Sequence, residues 1–176
     1  MSRIAVALVL AVVSGAALAH PFHGAADGAA AGFAHPFTGF DHLLAMVAVG
    51  LWAVQLGGRA RWIVPGTFTG AMLAGGALGF AGLQPPFVEQ MLAASVLVFG
   101  LLIVTRTRLR PALGAALVGA FALFHGAAHA AELPHAASAL AYAAGFCVAT
   151  LCLHAAGIGA GTLLAQRFSR FICPAG

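Results

Sequence analysis

The segment HPFTGFDHLLAMVAVGLWAV, residues 35–54, combines metal-ligand side chains with a long apolar run. The run after Asp41 and His42 is typical of a helix that crosses a lipid bilayer, for which about 20 predominantly apolar residues are needed. Acidic and imidazole side chains are costly in hydrocarbon, where they usually mark a partner, an aqueous cavity or an ion pathway. We therefore expect the functional site of the protein at the start of this segment.

The composition of the whole chain indicates a membrane protein. Of its 176 residues, 62% are apolar and 7% are charged, which is far from the balance of a soluble domain. Because little polar sequence separates the apolar runs, the chain has room for one helical membrane domain and for no soluble domain of useful size. The predicted fold class is an all-α membrane protein.

The N-terminal residues have the features of a secretory signal peptide. Arg3 precedes an apolar stretch, and Ala17-Leu18-Ala19 is the small-x-small pattern that signal peptidase accepts. We therefore predict that the signal is cleaved before His20. The predicted organisation is a signal peptide over 1–19, a periplasmic lead-in over 20–40, a transmembrane helical domain over 41–165 and a cytoplasmic C-terminal tail over 166–176.

Five apolar segments in the transmembrane domain are each near the length that a spanning helix needs. The segments are 41–56, 62–82, 87–105, 111–131 and 136 to about 165. We therefore predict a polytopic bundle of about five transmembrane helices. Glycines four residues apart let neighbouring backbones approach closely in lipid, and they favour tight packing of this bundle. The glycine pairs are Gly66 with Gly70, Gly75 with Gly79, and Gly157 with Gly161.

The arginines of the transmembrane domain lie on one side of the predicted bundle. They are Arg59 and Arg61 after the first segment, Arg106, Arg108 and Arg110 after the third, and Arg167 and Arg170 after the fifth. The opposite loops carry Glu89 and Glu132 instead. The positive-inside rule then predicts a multi-pass membrane protein with a periplasmic mature N-terminus and a cytoplasmic C-terminus. Because orientation explains these arginines, we expect no nucleic-acid partner.

The candidate metal ligands fall at one predicted depth on two helices. His125 and His129 are one turn apart near the end of the fourth segment, and Glu132 follows on the same face. On the same side of the membrane, His35, Asp41 and His42 lie at the start of the first segment. Met46 lies one turn below His42 and offers a thioether. The predicted metal site consists of His35, Asp41, His42, Met46, His125, His129 and Glu132.

This mixture of ligand types indicates a transition metal. Imidazole, carboxylate and thioether groups suit divalent nickel, cobalt, copper or zinc better than calcium or magnesium, which prefer oxygen ligands. The alternative is that His125 and His129 only cap or hydrogen-bond neighbouring helices. The acidic residues and His42 at the same level favour the metal site, because polar groups in membranes usually mark pathways.

Two motifs of the chain resemble the HupE/UreJ family of bacterial metal permeases. They are His35-Pro36-x-x-Gly39-x-Asp41-His42-Leu43-x-Ala45-Met46-x-x-Val49-Gly50-x-Trp52-Ala53 and His125-Gly126-x-Ala128-His129-x-x-Glu132. The resemblance implies inward passage of a divalent cation, with nickel supplied to hydrogenase or urease maturation and cobalt or other metals carried by some relatives. It also implies metallochaperones of that maturation as partners. The residues it implies for the site are His35, Asp41, His42, His125, His129 and Glu132.

Two other function classes remain open beside the permease, which is not an enzyme. One is an intramembrane zinc-dependent hydrolase, in which His125, His129 and Asp41 would hold zinc and activate water. The other is a membrane cytochrome with axial histidines on facing helices, although haem ligation has no need of an acid beside His42. The chain has no Lys and no Gly-x-x-x-x-Gly-Lys loop, so we expect no direct ATP hydrolysis. The sequence leaves the oligomeric state open.

His154 is a further histidine inside a predicted span. At 1.5 Å per residue it lies about 27 Å along the fifth segment, which predicts a position near the cytoplasmic boundary and a possible role as an exit ligand. Cys147 and Cys152 are five residues apart and point to different faces of that helix. We therefore interpret both thiols as small apolar groups, and Cys173, which follows the last span on the reducing side, implies no disulfide.

Overall fold

The structure is a computed structural model that describes residues 28–133 and 138–172, with side chains up to residue 167. The predicted signal peptide lies outside the described residues, as do residues 20–27, 134–137 and 173–176. The described part of the chain forms six helices. They are α1 (Gly28–Thr38), α2 (Phe40–Leu56), α3 (Ala60–Phe80), α4 (Val88–Val104), α5 (Pro111–Ala131) and α6 (Ala139–Ile172).

The five longer helices follow the five apolar segments of the sequence. Helix α5 has the predicted bounds, and its first residue is Pro111, whose missing N–H and fixed φ suit a first helical turn. Helix α2 begins one residue before the predicted start. Helix α6 has 34 residues and continues to Ile172, beyond the predicted end near residue 165. The all-helical fold class is therefore confirmed.

Helix α1 is the main difference from the sequence-based prediction, which assigns residues 20–40 to a lead-in. It packs tightly against α6, since a Cβ atom at Gly32 would overlap the carbonyl oxygen of Tyr142 and one at Gly145 would overlap that of Ala29. The small residues that make this segment look like a linker are the ones that allow such close contact. Helices α1 and α2 meet at Gly39 with a bend of 81°. The periplasmic location of α1 stays a prediction.

Three of the described helices are long and apolar enough to cross a membrane. They are α3, α5 and the part of α6 from Ala139 to Arg167. The bent pair of α1 and α2 counts as a fourth if it forms one broken span. Helix α4 is apolar but has 17 residues, which is about 26 Å at 1.5 Å per residue and less than the 30 Å hydrocarbon core. The described residues thus provide three to four candidate membrane spans by length and composition, and the count of about five spans stays a prediction.

Two of the three predicted glycine pairs lie at close helix contacts. A Cβ at Gly75 would overlap the carbonyl oxygen of Leu123, which holds α3 against α5, and one at Gly157 would overlap that of Val47, which holds α6 against α2. Their partners Gly79 and Gly161 also face neighbouring helices. The prediction for Gly66 and Gly70 is wrong for the described part of the chain, where a Cβ at either position would meet no atom of another helix within 4 Å. Close packing therefore joins α2 to α6 and α3 to α5.

The two ends of the bundle differ in their polar contacts. At the end that carries Arg59, Arg106 and the other arginines, Trp52 Nε1 donates to the carbonyl of Thr107 at 3.0 Å, and Gln55 Nε2 donates to that of Ile103 at 3.2 Å. These bonds attach α2 to the end of α4. The opposite end, where α2 begins and α5 ends, is called the outer end after the predicted topology.

Candidate metal site

Three histidines from three helices meet at the outer end of the bundle. His35 is in the last turn of α1, His42 in the first turn of α2 and His129 in the last turn of α5. One ring nitrogen from each lies within 4.8 Å of the others. His42 and His129 are buried, and His35 is partly exposed. These three residues are called the outer histidine cluster.

The bend between α1 and α2 places His35 over His42. Their ring centroids are 5.4 Å apart although the two residues belong to different helices. Gly39 at the bend lies against the polar groups that follow it, since a Cβ there would be 3.0 Å from Asp41 Oδ1 and 3.2 Å from His42 Nδ1. A larger residue at position 39 would therefore press on the Asp41–His42 pair.

Asp41 determines which nitrogen of His42 is available. Its Oδ1 accepts the backbone N–H of His42 at 2.8 Å and contacts the ring Nδ1 at 2.9 Å. Because an ionised carboxylate only accepts hydrogen bonds, Nδ1 carries the ring proton and Nε2 keeps its lone pair. That Nε2 is buried and has no hydrogen-bond partner within residues 28–133 and 138–172. A carboxylate behind the ring in this way is the usual partner of a metal-binding histidine.

Glu132 holds His35 in a similar arrangement. Its Oε2 lies 2.8 Å from His35 Nε2, just beyond the end of α5. Burial raises the pKa of the Glu132 carboxyl, but the hydrogen bond and the charge of His35 lower it more, so the net pKa lies below its usual value. Both acids of the predicted site are thus hydrogen-bonded to histidines of the cluster.

His129 is the histidine of the cluster whose two ring nitrogens are both available to a ligand. Both of its nitrogens are buried and lack a hydrogen-bond partner in the described part of the chain. The ring is stacked on Phe146 with centroids 4.5 Å apart, and it lies 4.6 Å from the ring of His42. A buried polar group without a partner costs about 1–3 kcal/mol, which a bound cation would offset.

His125 lies one turn below His129 and belongs to the next layer. Its ring centroid is 5.0 Å from that of His42, and its Nε2 is 2.9 Å from Ser95 Oγ. Ser95 Oγ donates its proton to the carbonyl of Leu92 at 2.7 Å, so it accepts from His125. The proton of His125 is therefore on Nε2, and Nδ1 is a buried lone pair that no described group satisfies.

Met46 is buried deeper in the bundle than the outer histidine cluster. Its sulfur accepts a hydrogen bond from Thr150 Oγ1 at 3.4 Å, and the same hydroxyl lies 3.8 Å from the sulfur of Met72. The backbone carbonyl of Met46 accepts a hydrogen bond from His154 Nδ1 at 2.8 Å. Met46 thus contacts Thr150 and His154 rather than the three histidines of the cluster.

The prediction that His154 lies near the cytoplasmic boundary is wrong. Its hydrogen bond to Met46 places it beside the half of α2 that is nearer the outer end, because Met46 is only about 9 Å from Phe40 along that helix. Counting residues along α6 overestimated the depth, since this helix begins beside α1, above the start of α2, and is about 51 Å long for its 34 residues.

The family model described as HupE / UreJ protein matches residues 8–176. The chain belongs to the HupE/UreJ family. A relative named Protein HupE from Rhizobium leguminosarum bv. viciae is 47% identical over 155 residues, which cover 88% of this chain and 81% of the relative. No solved structure is significantly similar to the chain.

In this HupE/UreJ protein the predicted ligands separate into layers. His35, His42 and His129 come together, Asp41 and Glu132 bind to two of them, His125 lies beside His42, and Met46 lies below. Sequence reasoning missed Ser95, Tyr142, Thr150 and Met72, which are buried around these residues. The sequence could have indicated that Tyr142, Thr150 and His154 line one face of an apolar helix, because they are spaced eight and four residues apart.

Proposed function

We propose that this protein imports a divalent transition-metal cation across the bacterial inner membrane and that the outer histidine cluster receives the ion. The observation that supports this most directly is the convergence of three imidazoles, with ring nitrogens within 4.8 Å of one another, at one end of an apolar helical bundle. Burying polar side chains inside an apolar helical bundle costs free energy, and such groups usually mark an ion or a pathway.

The ligand chemistry favours a borderline cation. Imidazole nitrogens bind nickel, cobalt, copper and zinc, whereas calcium and magnesium prefer oxygen. We propose nickel as the main cargo because membership of the HupE/UreJ family implies supply of this metal to hydrogenase or urease maturation. Cobalt, copper and zinc are the alternatives, and metallochaperones of that maturation are the proposed cytoplasmic partners.

The direction of transport follows from the proposed orientation. The outer histidine cluster lies at the end of the bundle opposite Arg59, Arg106 and Arg110, which the positive-inside rule assigns to the cytoplasm. A potential that is negative inside favours entry of a dication by about 4.6 kcal/mol per 100 mV, twice the value for one charge. Facilitated entry therefore needs no hydrolysis of ATP.

The zinc-hydrolase alternative is supported less well by the geometry. It requires His125, His129 and Asp41 as ligands, yet Asp41 is hydrogen-bonded to His42, and the closest group among the described residues contains His35 instead of His125. We therefore propose a permease and no enzymatic activity.

Cellular accumulation of radioactive nickel and cobalt, with and without the gene, tests the proposed function. We expect the gene to increase nickel uptake and His42→Ala or His129→Ala to abolish that increase at near-normal membrane abundance. Leu44→Ala is the matched control, because Leu44 belongs to the same turn as His42 but its side chain is 37% exposed on the surface of the bundle. Equal accumulation with and without the gene, for nickel and for the three alternative metals, would refute the proposal.

A further inference from the structure

We propose that a second, deeper cation site is formed by Nε2 of His154 and the thioether sulfurs of Met46 and Met72. It rests on the proposed function, in which it is the next binding position after the outer histidine cluster. Met46 comes from α2, Met72 from α3 and His154 from α6, so the site lies where three helices converge. All three side chains are buried, with exposures of 0% for the two methionines and 2% for His154.

Thr150 brings the two sulfurs of the proposed site together. Its hydroxyl lies 3.4 Å from the sulfur of Met46 and 3.8 Å from that of Met72, so both sulfurs lie close to one oxygen. His154 follows Thr150 by four residues, which puts both side chains on one face of α6. The thioethers, the hydroxyl and the imidazole therefore line the same interior surface.

The hydrogen bonding of His154 leaves a ligand nitrogen free. Its Nδ1 lies 2.8 Å from the carbonyl oxygen of Met46, which only accepts, so Nδ1 carries the proton and Nε2 keeps its lone pair. That Nε2 is buried and has no hydrogen-bond partner among residues 28–133 and 138–172. Packing alone does not require such a residue, because an apolar side chain there would avoid the cost of an unsatisfied nitrogen.

A continuous row of rings connects this site to the outer histidine cluster. The centroid distances are 5.0 Å from His42 to His125, 5.5 Å from His125 to Phe68 and 5.3 Å from Phe68 to His154. His125 has a free Nδ1 on this row. Phe68 is completely buried and contacts both imidazoles, so its ring separates His125 from His154 on this row.

The ligands of the deeper site suit brief binding of a soft or borderline cation. Thioethers and a neutral imidazole select such metals, and none of the three proposed ligands carries a negative charge. Conduction requires binding that is favourable enough for entry and weak enough for release. The outer histidine cluster, which has two carboxylates behind its rings, is expected to bind the same dication more tightly.

Methionine methyl NMR on the purified full-length protein tests the deeper site directly. With methyl-¹³C methionine, addition of paramagnetic Ni²⁺ should broaden the Met72 resonance much more in the wild type than in His154→Asn. Asparagine retains a donor at the position of Nδ1 for the Met46 carbonyl and lacks Nε2, so it preserves the structural bond and removes the ligand. Met91, on α4, lies one turn from Ser95, which contacts His125, so it reports Ni²⁺ bound elsewhere in the protein and should broaden equally in the wild type and in His154→Asn.

Uptake measurements then separate this site from the outer one. We expect His154→Asn and Met72→Leu to reduce nickel uptake at least about tenfold, since even indirect partners of a ligand change metal affinity by about 10–100-fold. Equilibrium binding of Ni²⁺ to the outer histidine cluster should be unchanged in both variants. Met91→Leu makes the same chemical change on another helix and should transport normally.

The outcomes distinguish the two proposals. Equal broadening of Met72 in the wild type and in His154→Asn overturns the deeper site, as does normal uptake by both His154→Asn and Met72→Leu. If the wild type does not transport but Met72 broadens in a manner that depends on His154, the deeper site stands and the transport function fails.

Discussion

Replacement of Asp41 by Asn should weaken metal binding without abolishing it. Oδ1 of Asp41 accepts two hydrogen bonds from His42, one from the backbone at 2.8 Å and one from the ring at 2.9 Å. Asparagine has the same shape but can turn its NH₂ group toward the ring. In that orientation Nδ1 of His42 must accept, the ring proton moves to Nε2, and the lone pair that faces the outer histidine cluster is lost.

The size of this effect follows from the indirect role of Asp41. Loss of a hydrogen-bond partner behind a metal ligand lowers affinity about 10–100-fold, or about 1.4–2.7 kcal/mol. The Asp41 side chain is 36% exposed, so water replaces part of its interaction, and we expect a value near the lower limit. His42→Ala removes the ligand itself and should abolish binding at the outer histidine cluster.

Equilibrium dialysis of purified protein against Ni²⁺, together with cellular uptake, measures both variants. Glu89→Gln is the matched control, because it removes an exposed carboxylate at the outer end of α4 and should have little effect. Loss of binding in Asp41→Asn as complete as in His42→Ala would show that the carboxylate is a direct ligand and refute the assigned role. Unchanged affinity would show that Asp41 does not orient His42.

Three further predictions address topology, packing and pH. A tag after Gly176 should report the cytoplasm and a tag in the loop between α5 and α6 the periplasm; a periplasmic C-terminus would contradict the proposed orientation. Gly126→Ala should destabilise the protein by about 1–3 kcal/mol in thermal unfolding, because its Cβ would overlap the carbonyl oxygen of Met72. The control Gly66→Ala, which meets no atom within 4 Å, should be nearly neutral. Uptake at limiting metal should fall as the outer pH is lowered from about 7.5 to about 5.5, since imidazole binds metal only when neutral and has an ordinary pKa of about 6.5. The lowered pKa of Glu132 should keep that carboxylate charged throughout this range, and uptake that rises on acidification at fixed potential would indicate proton-coupled import instead.

The helices and the general place of the site were predictable from the sequence alone. Apolar runs of about 20 residues have few alternatives to helices in lipid, where every backbone polar group must be satisfied internally. Periodicity within one helix likewise places His125 one turn below His129 on a common face of α5. The adjacency of Asp41 and His42 needed no structure, because neighbours in a chain stay neighbours.

Only the tertiary structure decided which of these residues meet across helices. His35 joins the site because α1 is a helix that docks on α6 through Gly32 and Gly145, and because the chain bends by 81° at Gly39. His154 contacts Met46 because glycines draw α2 and α6 together and because α6 begins above α2. Helical periodicity fixes the direction of each side chain about its own axis, whereas distances between side chains on different helices depend on how closely and at what height the helices pack.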